Sequence, residues 1–406
     1  MKKIVLGSLI ASSILLAGGY KVPESSINGV ALGAANVAHN KSADAAYYNP
    51  ANMVFMNHDG IMEVDMMYIG LSEVDYNGNY TSRGVTTGPY DISSKSENFL
   101  IPSFHYVSPE VDGARYGLSI ITPAGLSKRW DSQPAKATAE EFTLETVEIN
   151  PTLALPIGDK VGIAVGMRAI YSKGVVKSNN GGGTYRDMDG DSIDFGYNLA
   201  IAYKPSKELE LAMTYRSKVD LTVEGDAKLG VANNAAFDYD GPASVTIPVP
   251  ALLNMAIAYT LPTKTTVEFV YERNYWHAYS ELDFNYDSTI NATTNNVFGS
   301  TKPKNWKDTN TFRFGVTQDM DKLILMAGLV IDETPVPEDT LGYELPDSDS
   351  VSVSFGGRYD INDKINVGLG VLYSMREDRV VHNDSIDGEF TNSNVLIISA
   401  GLAYKF

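Results

Sequence analysis

Six arginines, Arg115, Arg168, Arg216, Arg313, Arg358 and Arg376, stand in segments where apolar residues alternate with small or polar ones, and all six fall on the non-apolar face. A guanidinium can hold a carboxylate through two parallel N–H···O bonds, so an arginine turned into an enclosed space is a candidate anchor for an acidic ligand. Arg168 and Arg216 lie near the middle of their segments, where a buried head group would sit, and are the carboxylate-anchor candidates. The alternative for each arginine is an internal ion pair, with Glu63, Asp65, Glu268 or Glu272 as partners. An apolar ligand tail would need an apolar lining, for which Tyr20, Val22, Ile247 and Leu252 are the candidates, together with Leu253 and the segment 323–330, apolar on both faces. Inward apolar residues would equally serve to pack protein against protein.

Other chemistries are excluded by what is missing. Asp187, Asp189 and Asp191 alternate as a calcium loop begins, yet the glycine at 190 is misplaced and the twelfth residue, Asn198, is not a bidentate Glu, so no metal site is assigned. Gly190-Asp191-Ser192-Ile193 resembles a serine-esterase block, but the serine follows no apolar strand. None of His39, His58, His105, His277 and His382 has the Asp-x-x-His setting that would supply a base. The chain has 0 Cys, which removes disulfides, thiolate metal sites and a cysteine nucleophile. No enzyme activity and no cofactor are expected. Asp+Glu 50 against Lys+Arg 32 argues against a nucleic-acid partner.

The elements that must position these residues are strands. Residues 1–18 carry Lys2 and Lys3, then an apolar stretch from Ile4 to Leu16, then small residues, the layout of a cleavable secretory signal and too short for a membrane span. Without a cysteine there is nothing to lipidate. Beyond it no apolar run approaches the ~20 residues of a membrane helix, and a closed β-barrel is the remaining way to cross a bilayer with every backbone group paired. Tyr 24, Gly 35 and Phe 14 suit such a wall.

Short turns at 108–113, 156–160, 205–208, 262–264, 319–322 and 362–364 use Pro, Gly, Asn or Asp, where tight turns need preset or positive φ. Long polar connections run over 71–97, 123–140, 175–191, 225–244, 287–305, 334–349 and 377–391. Seven long loops alternating with six short turns require fourteen strands with both termini on the short-turn side, as in bacterial outer-membrane barrels. Val161, Ile163, Val165, Met167, Ala169 and Tyr171 form one expected lipid-facing row, and Ile193, Phe195, Tyr197, Leu199, Ile201 and Tyr203 another. Trp130, Trp276 and Trp306 fall at long-loop ends, where an interfacial girdle would lie. The C-terminal strand alternates to its last residue, Phe406, like the signal read by the barrel assembly machinery. The expected fold is all-β: a 14-stranded antiparallel transmembrane β-barrel (59–406) behind an N-terminal hatch (19–58) and a signal peptide (1–18).

The small-residue run of 19–38, followed by Ala43 to Met53 with its Asn49-Pro50-Ala51 triplet, resembles the N-terminal hatch and NPA motif of the FadL/TodX family of outer-membrane hydrophobic-compound transporters. The blocks 122–130, 148–152, 215–217, 305–309, 332–337 and 345–349 resemble family blocks in the same order. The resemblance implies a monomer in the bacterial outer membrane, surrounded by lipid and lipopolysaccharide. It also implies passive uptake of hydrophobic small molecules, in the first place long-chain fatty acids, through a lumen gated by Asn49, Pro50 and Ala51. Aromatic or alkane hydrocarbons are the alternative cargo, and an adhesin or structural barrel is the alternative of a different class. The family's lateral exit depends on a kink in an early strand, for which Gly117 or the Pro123-Ala124-Gly125 break is the candidate. The connection 123–140 is shorter than the surface-capture loop of the best-known fatty-acid members.

Overall fold

The computed structural model describes residues 18–56 and 60–406. The signal peptide expected over 1–18 therefore lies outside the described residues except for Gly18.

Fourteen antiparallel strands form one closed wall. In chain order they are β1 (Ile61–Leu71), β2 (Glu97–Val107), β3 (Arg115–Ile121, resuming at Leu126–Arg129), β4 (Glu141–Ile157), β5 (Val161–Asn179), β6 (Tyr185–Tyr203) and β7 (Leu209–Arg216, resuming at Val219–Gly230). They continue with β8 (Tyr239–Val249, resuming at Leu252–Thr260), β9 (Thr265–Asn274), β10 (Thr309–Met320), β11 (Leu323–Asp332), β12 (Ser350–Asp360), β13 (Ile365–Arg376) and β14 (Val395–Lys405). Closure comes from β1 pairing with β14, from Ile61↔Lys405 to Leu71↔Val395. No helix among the described residues is long and apolar enough to cross a membrane.

Period-two alternation decides which face is which. On β6, Phe195 is 65% exposed while Asn198, three residues on and of opposite parity, is buried, and the rows expected to face lipid do face outward. A belt of exposed Val, Ile, Leu, Phe and Tyr around a closed wall is stable only against hydrocarbon. All six arginines singled out above are turned inward.

Three expectations are corrected. The connections 175–191 and 225–244 are not loops: β5 and β6 stay paired out to Asn179↔Tyr185, and β7 and β8 out to Leu229↔Tyr239. These hairpins project beyond the bilayer, where the outward face carries exposed polar residues such as Asp226 and Lys228 while Ala227, Leu229, Ala243 and Val245 are buried on the other face, the reverse of the lipid-facing pattern. The three tryptophans are no girdle. Trp130 and Trp276 are fully buried and Trp306 nearly so, inside the long-loop end. Trp130 Nε1 donates to the Tyr343 carbonyl at 2.9 Å, and Trp276 and Trp306 pack edge to face at 4.9 Å.

Residues 18–56 pack against the inward face of the wall. They form two short helices (Ile27–Ala31 and Ala45–Tyr48) and a 3₁₀ turn (Pro50–Phe55), nearly all buried. Wall glycines make room for them. A Cβ on Gly162 would stand 2.3 Å from the Ala51 carbonyl oxygen, and one on Gly328 would stand 2.4 Å from the Leu32 carbonyl carbon. The apolar inward residues of β11 meet this segment, Met326 clustering with Ala31, Leu32 and Ala35.

Candidate ligand site

Three interruptions of the wall surround one cavity. In β3 the ladder with β4 lapses between Ile121↔Glu148 and Leu126↔Leu144, with one more residue on β3 than on β4, as in a bulge. Pro123, lacking an N–H, lies in this break, whereas Gly117 stays in register opposite Thr152, so the break at 122–125 is where β3 bends. On its other side β3 pairs with β2 only from Phe104↔Ile120 to Val107↔Gly117, leaving residues 97–103 of β2 without a ladder partner there. The freed backbone of β3 turns to the N-terminal segment instead: Val22 N donates to the Pro123 carbonyl at 3.0 Å, and Gly125 N to the Tyr20 carbonyl at 2.8 Å. The second interruption follows Arg216 in β7, and the third falls at Pro250 in β8.

The cavity between these breaks measures about 50 Å³. From the wall it is lined by Arg168, Arg216 and Leu252, and from the N-terminal segment by Lys21, Val22 and Tyr47. Of the residues singled out from sequence, Arg168, Arg216, Val22 and Leu252 thus come together, and Pro50 reaches the same cavity. Tyr20 and Ile247 line a separate cavity of about 10 Å³ with Tyr279 and Trp306. Tyr20 is held there by aromatic edges, with Trp276 at 4.8 Å, and its hydroxyl donates to the Pro248 carbonyl at 2.5 Å.

Glu148, which sequence reasoning passed over as a ligand partner, organises the charges. Arg168 donates to its Oε2 from Nε at 3.0 Å and Nη2 at 2.9 Å, and Arg216 Nη2 donates to its Oε1. Arg168 Nη1 donates to the Ser217 carbonyl at 2.6 Å. Arg216 Nη1 reaches Asn150 Oδ1 only at 3.4 Å, and its guanidinium lies over the Tyr47 ring at 4.5 Å. The signal was present in parity: Glu148, Asn150 and Thr152 share the buried face of β4, opposite the face of Ile149. On the segment side, Lys21 Nζ bonds Glu272 Oε1 at 2.6 Å and Asn274 Oδ1 at 2.7 Å. Burial pushes the phenol of Tyr47 up, opposed by Arg216, so it stays neutral.

The Asn49-Pro50-Ala51 turn is fixed from both ends of one side chain. Asn49 Nδ2 donates to the Val37 carbonyl at 2.8 Å, and Asn49 Oδ1 accepts from Ala51 N at 3.1 Å, capping the 3₁₀ turn that Pro50 begins. The strand opposite grips the same bend. Glu268 of β9 accepts from Val37 N at 2.7 Å, Ala38 N at 2.6 Å and His39 N at 3.0 Å. Among the described residues no group of His, Asp and Glu could hold a metal ion. Asp187, Asp189 and Asp191, placed in the 175–191 connection from sequence, lie on β6.

A closed antiparallel wall with a lipid-facing belt, its lumen occupied by its own N-terminal residues around a charged cavity, defines an outer-membrane β-barrel of the transporter class. The chain belongs to the outer membrane protein transport protein family (OMPP1/FadL/TodX), whose sequence profile matches residues 8–406. Family members are transport channels of the bacterial outer membrane for hydrophobic compounds, not enzymes. The chain is 24% identical over 337 residues to the long-chain fatty acid transport protein of Escherichia coli O6:H1, covering 71% of this chain and 73% of that one. It is 22% identical to outer membrane protein P1 of Haemophilus influenzae, over 90% of this chain and 89% of the other. In fold it is similar to a Pseudomonas aeruginosa FadL homologue (TM-score 0.84, 18% identity, 96% of this chain and 100% of that chain). It is also similar in fold to the P. putida toluene transporter TodX (TM-score 0.73, 16% identity, 95% and 99%).

Proposed function

We propose that the protein carries long-chain fatty acids across the outer membrane by passive diffusion, with residues 19–58 acting as a hatch and Arg168 and Arg216 as the carboxylate anchor. The observation that carries this reading is that two buried guanidiniums share the single carboxylate of Glu148. One positive charge is left over in an enclosed site, and a monoanionic head group is its natural counter-ion. Leu252, Val22 and Val249 supply apolar wall for the start of the chain.

At about 50 Å³ the cavity has room for a few water-sized groups and none for an alkyl chain. Its N-terminal lining must therefore move when ligand binds, which is why gating is assigned to the segment carrying Asn49, Pro50 and Ala51. The unpaired flank of β2 beside the β3 bend is the proposed side exit. The chain is proposed to work as a monomer among outer-membrane lipid and lipopolysaccharide, with Phe406 read by the assembly machinery.

One observation favours a neutral hydrocarbon ligand: Nε, Nη1 and Nη2 of Arg168 all have acceptors already. Binding of labelled palmitate to the purified barrel in detergent, with Arg168→Ala, Arg216→Ala and toluene as competitor, separates the cases. Saturable binding weakened about tenfold or more by the Arg216 change is expected, the scale of one charge-assisted hydrogen bond. Competition by toluene with no arginine effect would overturn the fatty-acid assignment in favour of hydrocarbon uptake. No binding of either would overturn transport in favour of an adhesin or structural barrel.

A further inference from the structure

We infer that signal removal completes the N-terminal segment chemically: cleavage between Gly18 and Gly19 turns Gly19 N into an ammonium buried between the carboxylates of Asp347 and Asp332. The inference rests on the signal and hatch readings above, and it assigns the cleavage site.

The start of the segment lies in a built socket. Gly19 N donates to Asp347 Oδ2 at 3.1 Å, and Asp347 is 0% exposed. Thr334 Oγ1 donates to the same Oδ2 at 2.7 Å and Arg376 Nη1 to Oδ1 at 2.7 Å, so this carboxylate is fixed in place. Two indoles close the socket. A Cβ on Gly19 would stand 2.7 Å from Trp276 Cζ2 and 3.0 Å from Trp306 Cζ3, and its φ is +82°, so glycine alone fits there. A Cβ on Gly18 would stand 2.6 Å from Asp332 Oδ2, which places this second carboxylate against the residue that cleavage removes.

The charges call for more than an amide. Asp332, at the end of β11, is 3% exposed, and Thr311 Oγ1 donates to its Oδ1 at 2.6 Å. It has no ion-pair partner among the described residues, because Lys21 is held by Glu272 and Arg313 by Glu272 and Glu24. A buried carboxylate without a cation is costly. Hydrolysis of the Gly18–Gly19 bond by a signal peptidase supplies the cation. Water is consumed, Gly18 leaves with the signal as a carboxylate, and Gly19 N takes up a proton, since an α-amine is charged below about pH 8. An amide has one donor and an ammonium three. One stays on Asp347, and the new ones face the space that Gly18 vacates beside Asp332. Tyr20, Lys21 and Val22 follow directly and line the two lumen cavities, so the terminal ion pair clamps the residues that close them.

The test begins with N-terminal sequencing of the barrel purified from outer membranes, which should start at Gly19; any other first residue overturns the assignment. The folded barrel in detergent is then treated with sulfo-N-hydroxysuccinimide acetate, and acetylation of the terminal amine is followed by peptide mass spectrometry. Gly19 should react at least about tenfold more slowly than in the urea-unfolded chain, the protection expected of one hydrogen bond to a charged group, while exposed Lys207 reacts alike in both. Asp347→Asn or Asp332→Asn should remove most of that protection with the barrel's heat-modifiable gel migration unchanged. Equal reactivity in the folded and unfolded chains overturns the proposal, as does protection that neither variant relaxes, which would mean burial without ion pairing. A chain extended by two residues ahead of Gly19 moves the ammonium out of the socket and alters no wall residue. Its amides 20–22 should exchange about tenfold faster, and unchanged exchange overturns the proposal. Palmitate binding by the same samples is scored separately: its absence would overturn the transport reading and leave the terminal ion pair standing.

Discussion

Removing the Glu268 carboxylate should free the N-terminal bend without harming the wall. In Glu268→Ala three backbone N–H groups, of Val37, Ala38 and His39, lose their acceptor at once. Each unpaired buried donor costs about 1–3 kcal/mol, so the gross loss is about 3–9 kcal/mol. Against this stands relief of the several kcal/mol spent on burying an ionised carboxylate. At mid-range values a gross loss of about 6 kcal/mol less about 3 kcal/mol for the relieved burial leaves about 3 kcal/mol. At 1.4 kcal/mol per decade the released form should rise about a hundredfold. The wall itself keeps its backbone ladder, since Glu268 pairs through its main chain with Ala258 and Gly315. Hydrogen exchange of the barrel in nanodiscs reads this directly: amides 37–39 should lose protection while those of β5 and β6 do not. Glu268→Gln, which keeps one neutral acceptor, should fall between. Unchanged protection at 37–39 in the alanine variant would refute the reasoning, and so would a loss shared equally by the wall strands.

Two further outcomes are expected. Asn49→Ala removes a donor to Val37 and the cap on Ala51, and should weaken seating of the N-terminal segment by about 1–2 kcal/mol, with Asn49→Asp, which retains the cap acceptor, losing less, measured by exchange over residues 49–56. Burial pushes the Glu24 carboxyl up to about 7, against the pull of Arg313 at 3.5 Å and of Lys21, with Glu272 and Asp332 also facing the site. The seated form therefore binds the extra proton between the ordinary carboxylate range and about pH 7, so seating is tightest below that window and weakens as pH rises through it. Glu24→Gln should flatten this dependence in exchange rates corrected for intrinsic pH effects; an unaltered slope would assign it to another group.

The strand count, the short turns and the lipid-facing rows were legible because inside the bilayer only one pattern satisfies both the backbone and hydrocarbon. Past the bilayer that constraint lapses, and the Asp187, Asp189, Asp191 row of β6 reads as loop although its backbone is paired with β5. Arg168 and Arg216 could be placed in the lumen by parity, but their shared partner Glu148 comes from a third strand, 20 and 68 residues away, a distance no local pattern spans. The tryptophans misled because a strand end leaves the ladder, and with it the parity that tells outside from inside. That Tyr20 would sit among Trp276, Trp306 and Tyr279 depended on loops folding back over the lumen, which no single segment encodes.

The barrel's first and last strands meet twice. Above their direct pairing, the hairpin that follows β1 (Asp75–Ser82 with Val85–Ser93) joins the hairpin that follows β13 (Arg379–His382 with Ile386–Thr391), from Asp75↔Thr391 to Tyr80↔Ile386. The seam where the cylinder is sewn shut is thus laced a second time, while the flank between β2 and β3 is left unstitched over residues 97–103. A wall built this way has a preferred direction of compliance. The backbone ladder is thinnest at β2–β3, where the Arg129–Glu97 ion pair still crosses, and doubled at the β1–β14 seam, so sideways strain is expected to part the wall at the former first.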